Sequence, residues 1–302
     1  MIEARQLTKR YGDKTAVDGV DFTVRPGAVT GFLGPNGAGK STTMRMIIGL
    51  DAPTSGTVTV NGRRYAGHSA PLHEVGALLE ARSIHPGRSA FDHLMALAYT
   101  HGIPKARVTE VIELTGLQSV AGKRAGAFSL GMGQRLGIAA ALLGDPQTIM
   151  LDEPVNGLDP DGVLWIRNLL TGLAADGRTV FVSSHLMSEM ALTADHLVVV
   201  GRGRLIADTS VAELIESTGS GVHVRTPRAD DLVHLLSGNG TRITTVERDV
   251  LEVTGVSTED IAVRALEAGI PLYELTPQRA SLEEAYTALT RDAVEYQGKG
   301  AA

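Results

Sequence analysis

The spacing of apolar and polar residues predicts two kinds of strand in the first half of the chain. Between residues 2 and 30 apolar and polar positions alternate, most clearly over 16–24, which predicts antiparallel strands with one face in solvent. Largely apolar stretches at Val29–Leu33 and 148–151 predict strands buried on both faces, as in the centre of a parallel sheet. The pattern therefore combines an exposed antiparallel layer with a buried α/β core.

The spacing becomes helical from about residue 89 to 145, with apolar residues three and four positions apart over 90–99 and 108–114. This predicts a helical insertion into the core. Further elements of the core are predicted as a strand over 75–80, a helix over 164–174, a strand over 178–185 and a hairpin over 197–207. The Asn61-Gly62 dipeptide predicts another tight hairpin within residues 56–65.

A second, smaller domain is predicted after Gly219-Ser220-Gly221, a segment typical of a linker. The pattern beyond it predicts a strand at 222–226, a helix at 229–236, strands at 241–247 and 250–254, a helix at 258–268, a strand at 271–276 and a helix at 281–291. This βαββαβ order is that of a ferredoxin-like α+β domain. RNA-recognition domains share the order, but no strand here carries clustered aromatic residues. We therefore predict domains at 1–218 and 219–302, the second ending in a disordered tail over 298–302.

The composition of the 302-residue chain is that of a globular protein, with 43% hydrophobic and 21% charged residues. The absence of cysteine excludes disulfides, thiolate catalysis and cysteine-ligated metals. No apolar run approaches the roughly 18 residues that cross a bilayer, and no signal-peptide layout is present, so we expect a cytosolic location. The net charge is −6, of which residues 219–302 contribute −5, so the charge predicts no nucleic-acid partner.

A glycine-rich segment, Gly34-Pro35-Asn36-Gly37-Ala38-Gly39-Lys40-Ser41-Thr42, lies between the predicted strand Val29–Leu33 and a predicted helix over 42–49. In that context it matches the pattern of a phosphate-binding loop, whose glycines let backbone N–H groups point inward at a helix N-terminus. The candidate nucleotide ligands are Gly34, Asn36, Gly37, Gly39, Lys40, Ser41 and Thr42. We expect Lys40 to reach the β- and γ-phosphates and Ser41 to hold Mg²⁺. The alternative is a glycine-rich turn before an ordinary helix.

Ionisable side chains stand at the ends of two other predicted core strands. Asp152 and Glu153 end the strand that begins at residue 148, and His185 ends the strand over 178–185. Open α/β sheets bind ligands at the carboxyl ends of their strands, so all three are candidate site residues. The alternatives are solvated strand ends and a structural histidine. Tyr11, in a predicted turn, is either a surface anchor or a stacking platform for the adenine of a bound nucleotide.

Five segments then occur in the order known from one family. They are Gly34–Thr42 (Walker A), 128–135 (signature), 149–154 (Walker B), 156–160 (D-loop) and His185 (switch histidine). On these residues, positions 1 to about 218 closely resemble the ATP-binding subunit of an ABC transporter. The resemblance implies a P-loop ABC-type nucleotide-binding domain, with a mixed sheet core, an antiparallel β subdomain and a helical subdomain at about 89–145.

The resemblance also implies ATP hydrolysis with ATP and Mg²⁺ as cofactors. In it, Asp152 holds Mg²⁺, Glu153 orients or deprotonates the attacking water, and His185 senses the γ-phosphate, while Lys40 and the loop amides neutralise phosphate charge. Two subunits bind ATP head to tail, so that Ser129 and Gly131 of one cap the nucleotide held by the other. The alternative for Ser129 is an ordinary helix cap.

Three positions depart from the usual pattern of the family. Leu130 replaces its first signature glycine and Met132 its glutamine, which puts the capping geometry or the turnover in question. Glu80 stands where most members carry the Q-loop glutamine, and a carboxylate there is a further candidate ligand for Mg²⁺.

The motif variants and the C-terminal sequence at 281–286 resemble the branch that exports antibiotics, bacteriocins and other small molecules. This implies a homodimer bound to a separate transmembrane permease on the cytoplasmic face of the membrane, docked near the Q-loop and residues 83–105. The cargo itself is not identified. One alternative is a soluble ABC ATPase acting on ribosomes or DNA, although the chain has one cassette, no sustained heptads and no basic face. The other alternative is the ATPase subunit of an importer.

Overall fold

The computed structural model describes residues 1–80, 84–217, 220–238, 240–279 and 281–290. Contacts between residues divide this part of the chain into two units, the first covering Met1–Ser210 together with Thr290 and the second covering Val211–Leu289. The predicted boundary after residue 218 and the predicted tail over 298–302 lie outside the described residues.

The first unit alternates strands and helices. Its strands are β1 (Ile2–Tyr11), β2 (Lys14–Val24), β3 (Val29–Leu33), β4 (Ser55–Val60), β5 (Val75–Leu78), β6 (Thr148–Asp152), β7 (Thr179–Ser183), β8 (His196–Gly201) and β9 (Arg204–Ser210). Its helices are α1 (Lys40–Ile47), α2 (Pro71–Glu74), α3 (Ala90–Thr100), α4 (Lys105–Leu114), α5 (Leu130–Leu142), α6 (Pro160–Ala175) and α7 (Met187–Thr193). Short 3-10 turns occur at Tyr65–Gly67, Gln118–Val120 and Ala125–Ala127.

Six strands form the central sheet in the order β5-β6-β7-β3-β8-β9. The pairings from β5 to β8 are parallel, and β9 is antiparallel to β8. Every residue of β3 and β7 is buried, as their apolar sequences require for strands covered on both faces. The predicted mixed sheet core is confirmed, and α1 begins at Lys40, two residues before its predicted start.

A second, three-stranded antiparallel sheet has the order β2-β1-β4. It packs on the central sheet through Phe22 of β2, whose ring centre lies 5.9 Å from that of Phe32 in β3 and 5.8 Å from that of Phe181 in β7. The predicted antiparallel layer is therefore confirmed. Tyr11 is the last residue of β1 and does not lie in the turn that follows.

The hairpin predicted around Asn61-Gly62 is only partly formed. The turn is present, because the Val60 and Arg63 backbones exchange hydrogen bonds of 2.7 and 3.1 Å. No strand follows it, however, and β4 pairs with β1, some fifty residues earlier in the chain. The residues after Gly62 are two exposed arginines that lie outside any strand. The Asn61-Gly62 dipeptide therefore forms a turn that is not followed by strand pairing.

The helical region between β5 and β6 contains α3, α4 and α5, as the sequence predicted. Its helices pack through buried apolar residues at helical spacing, among them Leu94 and Ala98 of α3 and Val108 and Val111 of α4. Ser89 caps α3, since its Oγ accepts a hydrogen bond of 3.0 Å from the Asp92 amide. Over the described residues, no helix combines the length and the hydropathy that a bilayer span needs.

The second unit is a small α+β domain. Its elements are α8 (Val211–Ser217), β10 (Ser220–Arg225), α9 (Ala229–Leu236), β11 (Arg242–Glu247), β12 (Val250–Thr254), α10 (Thr258–Glu267), β13 (Glu274–Arg279) and α11 (Leu282–Thr290). The four strands form an antiparallel sheet in the order β11-β12-β10-β13, with one face packed on α9 and α10. The predicted ferredoxin-like fold is confirmed.

Candidate active site

The glycine-rich loop joins β3 to α1 at the carboxyl edge of the central sheet. Gly37 and Gly39 have φ values of +82° and +102°, in the region that side chains with a Cβ rarely adopt. At Gly39 a Cβ would also lie only 2.6 Å from the carbonyl oxygen of Ala16. The loop backbone therefore requires glycine at these positions, and it leads directly into the N-terminus of α1, where free N–H groups favour an anion.

Lys40, the first residue of α1, turns its side chain back into this loop. Its Nζ donates hydrogen bonds to the carbonyl oxygens of Gly34 at 2.6 Å and Pro35 at 3.4 Å, and the residue is only 9% exposed. Burial lowers the pKa of Lys40, and the neighbouring carboxylates of Glu153 and Asp152 partly oppose that effect. A buried ammonium group thus lies among loop backbone groups, as a phosphate-binding site needs.

Two oxygen ligands suitable for Mg²⁺ lie side by side next to the loop. Ser41 Oγ donates a 2.9 Å hydrogen bond to Asp152 Oδ2, while Ser183 Oγ hydrogen-bonds the other oxygen, Oδ1. Nowhere among the described residues do three His, Asp or Glu side chains group as a metal cage would need. One carboxylate and one hydroxyl fit Mg²⁺, because that ion usually keeps waters and takes its other ligands from substrate phosphates.

Glu153 and His185 form a hydrogen-bonded pair beside Asp152. His185 Nδ1 lies 2.6 Å from Glu153 Oε2, and the His185 backbone N–H donates to the same oxygen at 3.3 Å. The side chain of Glu153 is 23% exposed and that of His185 is 54% exposed, so the pair faces solvent. The structure therefore brings together side chains from three separate segments of the sequence, namely Lys40, Ser41, Asp152, Glu153 and His185.

The backbone of Glu153 is held in an unusual conformation. Its φ is +51°, in the left-handed region, which costs about 1–3 kcal/mol for a residue other than glycine. Ser183 Oγ accepts a 3.0 Å hydrogen bond from the Glu153 amide, and the Gln134 side chain donates a 3.2 Å hydrogen bond to the Glu153 carbonyl. Neither Ser183 nor Gln134 was among the predicted site residues, although a polar residue such as Gln134 on the apolar face of α5 is a signal in the sequence.

The signature residues lie at the start of α5. Ser129 is the N-cap, since its Oγ accepts a 3.2 Å hydrogen bond from the Met132 amide, and it is exposed. Among the described residues, no hydrogen bond joins Ser129 or Gly131 to the glycine-rich loop. The structure thus does not bring these two predicted ligands to Lys40 within one chain. The helix-cap role of Ser129 is directly visible.

Tyr11 lies beside α1 with its ring 48% exposed. Its hydroxyl donates a 3.0 Å hydrogen bond to Asp51, which also pairs with Arg45 at 2.8 Å. Desolvation and the Asp51 hydrogen bond raise the pKa of Tyr11, whereas the Thr42 hydroxyl acts in the opposite direction, which places Tyr11 near the first turn of α1. The role of Tyr11 as a stacking platform for adenine stays a prediction.

Glu80 lies two residues beyond the end of β5 and is exposed. It stands close enough to Arg45 to contribute to the raised pKa of that guanidinium group, for which Asp51 is the main cause. Within the described part of the chain no hydrogen bond links Glu80 to Ser41 or Asp152. Its role as a ligand of Mg²⁺ stays a prediction.

Comparisons with known proteins show which family this chain belongs to. The family model for the ABC transporter matches residues 17–156, and a family described as a domain of unknown function matches residues 220–283. The bacitracin transport ATP-binding protein BcrA of Bacillus licheniformis is 41% identical over 211 residues, which are 69% of this chain and 69% of BcrA. The chain belongs to the ABC transporter ATP-binding family.

Two further proteins are similar to this ABC subunit. The Nod factor export ATP-binding protein I of Ralstonia nicotianae is 36% identical over 220 residues, covering 71% of this chain and 68% of that protein. A solved structure of the ATP-binding subunit of an ABC transporter superposes with a TM-score of 0.66 at 26% identity, over 72% of this chain and 93% of the other. The ABC fold thus accounts for the first unit.

Proposed function

We propose that this ABC subunit binds and hydrolyses ATP to drive export of a small molecule through a separate membrane permease. The observation that carries the ATPase part is the convergence of Lys40, Ser41, Asp152, Glu153 and His185 at one edge of the central sheet. Phosphoryl transfer to water needs charge neutralisation and an oriented nucleophile, and these residue types supply both.

Each side chain has a distinct part in this proposal. Lys40 and the loop amides stabilise negative charge on the β- and γ-phosphates. Ser41 and Asp152 would hold Mg²⁺, with Glu80 as a further candidate, and the bound ion would neutralise phosphate charge. Glu153 orients the attacking water and accepts its proton. His185 is hydrogen-bonded to Glu153 at 2.6 Å, and in this proposal it would also hydrogen-bond the γ-phosphate.

Nucleotide capping is assigned to a second subunit. Ser129 and Gly131 make no hydrogen bond to the loop of their own chain within its described residues, and Ser129 is exposed. An exposed helix N-terminus with a serine hydroxyl suits contact with a phosphate from another molecule. We therefore infer a head-to-tail homodimer in which each signature segment covers the ATP held by the partner, with Tyr11 stacked on the adenine.

Export and the permease partner rest on the relatives. BcrA is named for bacitracin transport, and the Ralstonia nicotianae protein for Nod factor export. The proposed subunit works at the cytoplasmic face of the membrane and reaches the bilayer only through its permease. The proposed cargo class is a drug, an antibiotic or a lipid-like molecule.

The ATPase proposal is tested with Glu153→Gln. This change keeps the side-chain volume but removes the proton acceptor, so ATP binding should persist while turnover falls about a thousandfold. Because opening of the dimer needs product release, light scattering in excess Mg-ATP should show a dimer. Glu113→Gln, an exposed change on α4, serves as the matched control. A monomeric Glu153→Gln protein with unimpaired hydrolysis would refute the assignment.

The transport proposal is tested by capture from native membranes. A tagged full-length chain should retain a polytopic membrane protein after detergent extraction, and ATP turnover of the captured complex should respond to its hydrophobic cargo. Co-purification with ribosomes in place of a membrane protein would instead support the soluble ATPase. Uptake of cargo into cells that depends on the chain would support an importer.

A further inference from the structure

The signature helix α5 touches the segment that carries Glu153. The amide nitrogen Nε2 of Gln134 donates a 3.2 Å hydrogen bond to the backbone carbonyl oxygen of Glu153. Gln134 is only 3% exposed, on a helix face otherwise made of apolar residues. A side-chain amide in such a place makes a directed contact, because a buried polar group without a partner is strongly disfavoured.

The start of α5 also contacts the segment that carries Glu153 at a second place, Gly157. The Leu130 side chain lies against Gly157, where an added Cβ would be 2.5 Å from the Leu130 Cδ2 atom. A Cβ on Gly131 would in turn be 2.7 Å from the carbonyl oxygen of Gly157. These contacts pack the start of α5 closely against Gly157. The signature helix and the segment that carries Glu153 therefore touch at two places, through Gln134 and at Gly157.

The Gln134 hydrogen bond is one of three that hold the backbone of Glu153. With φ at +51°, this backbone conformation persists only where the surroundings determine it. The Glu153 amide is fixed by Ser183 from β7, and its carbonyl by Gln134 from α5 and by the Asn156 amide at 3.2 Å. Gln134 is thus the side-chain link from the signature helix to the backbone of the proposed catalytic carboxylate.

We propose that Gln134 is a positioning residue that couples the signature helix to the placement of Glu153. This inference rests on the proposed function, in which Ser129 and Gly131 contact the nucleotide held by the partner. Gln134 lies about one helical turn beyond them on the same helix. Engagement of the partner's nucleotide is then transmitted through one hydrogen bond to the carboxylate of the chain's own site.

The test is Gln134→Met in the full-length chain, which preserves side-chain length and removes the donor. We expect the kcat of ATP hydrolysis to fall about tenfold while the KM for ATP stays within about twofold, because the loop that binds the nucleotide is unchanged. Gln118→Met is the matched control. The Gln118 amide also donates to a backbone carbonyl, that of Glu113 at 3.3 Å, on the exposed surface of the helical region. It should leave both constants unchanged.

The outcomes separate the two proposals. If the unmodified chain shows no Glu153-dependent hydrolysis, the proposed function is wrong and the coupling falls with it. If the unmodified chain is active, an unchanged kcat in folded Gln134→Met, an equal loss in Gln118→Met, or a loss confined to KM would each overturn the positioning role alone. Should circular dichroism show that Gln134→Met does not fold, Gln134→Asn, which keeps the amide but withdraws it by one methylene, decides by the same criteria.

Discussion

Lys40 is the only charged side chain that is buried among the described residues. Burial of a charge is unfavourable, and it lowers the pKa of this ammonium group below its ordinary value. A folded-state pKa below the unfolded one means that the charged lysine lowers the free energy of unfolding at neutral pH. A charge buried at this cost fits the phosphate-binding role proposed for Lys40.

We therefore expect Lys40→Met to weaken ATP binding by about tenfold to a hundredfold without lowering the melting temperature. The affinity for ATP falls because the charge-assisted contact to phosphate is lost. The melting temperature does not fall because an unfavourably buried charge is removed. Calorimetric titration with Mg-ATP and a thermal melt provide the two measurements. Lys123→Met, at an exposed position, is the control and should change neither. Unaltered affinity in Lys40→Met would exclude the loop as the nucleotide site.

Individual site residues were predictable to different degrees. Lys40, Ser41, Asp152 and Glu153 are adjacent in the chain to a loop or a buried strand with a distinct pattern, so local sequence indicated them. Ser183 is the first of three consecutive polar residues after an apolar run, and only its pairing opposite Asp152 in the parallel sheet shows what it contacts.

Three phenylalanines hold the antiparallel sheet against the central one. The rings of Phe32 and Phe181 are 5.0 Å apart, both pack on Phe22, and none of the three is more than 2% exposed. Each ring comes from a different strand, so the cluster links β2, β3 and β7. Close packing of buried aromatic rings adds to the free energy gained from their burial.

We expect Phe181→Ala to lower the free energy of unfolding by about 3–5 kcal/mol, because it removes a buried ring and leaves a cavity between the two sheets. Urea denaturation followed by circular dichroism measures the loss. Tyr99→Ala, which removes a ring that is 78% exposed, should change the same quantity by less than about 0.5 kcal/mol. Equal losses in the two variants would contradict the packing role of the cluster.

At the level of elements, buried strands were predicted more reliably than turns and pairings. The apolar sequences of β3, β6 and β7 have few alternatives to a buried strand, whereas the Asn61-Gly62 dipeptide defines four residues of turn and nothing beyond. A turn continues into a hairpin only where the chain after it forms a second strand with a face to bury. After Asn61-Gly62 no such strand forms, and β4 pairs with β1.

The whole molecule consists of two units, each with a core of its own. Among the described residues, the sheets of the two units share no strand, and β10, β11 and β12 pair only with one another and with β13. This arrangement favours a first domain that folds independently and a second domain that is an accessory module.

Removal of residues 219–302 should therefore leave a chain that melts cooperatively and still binds ATP. Calorimetric melting, with and without Mg-ATP, measures both properties. Removal of residues 197–302 is the contrasting truncation. It deletes most of β8 and all of β9 from the central sheet and exposes the edge of β3, so it should abolish cooperative melting. A broad, non-cooperative transition in the first truncation would show that the proposed domain boundary is wrong.

The sequence alone determined the fold class and the buried strands of the core, and it predicted candidate site residues at the ends of β3, β6 and β7. These depend on local properties, namely the burial pattern of a strand and the spacing of glycines before a helix N-terminus. Only the tertiary structure decided which side chains meet. Gln134 and Glu153 are 19 residues apart, and Ser183 and Glu153 are 30 apart, and no periodicity encodes such pairs. Their contacts follow from how α5 and β7 pack beside β6, because packing in a folded core is set jointly by all of the neighbouring elements.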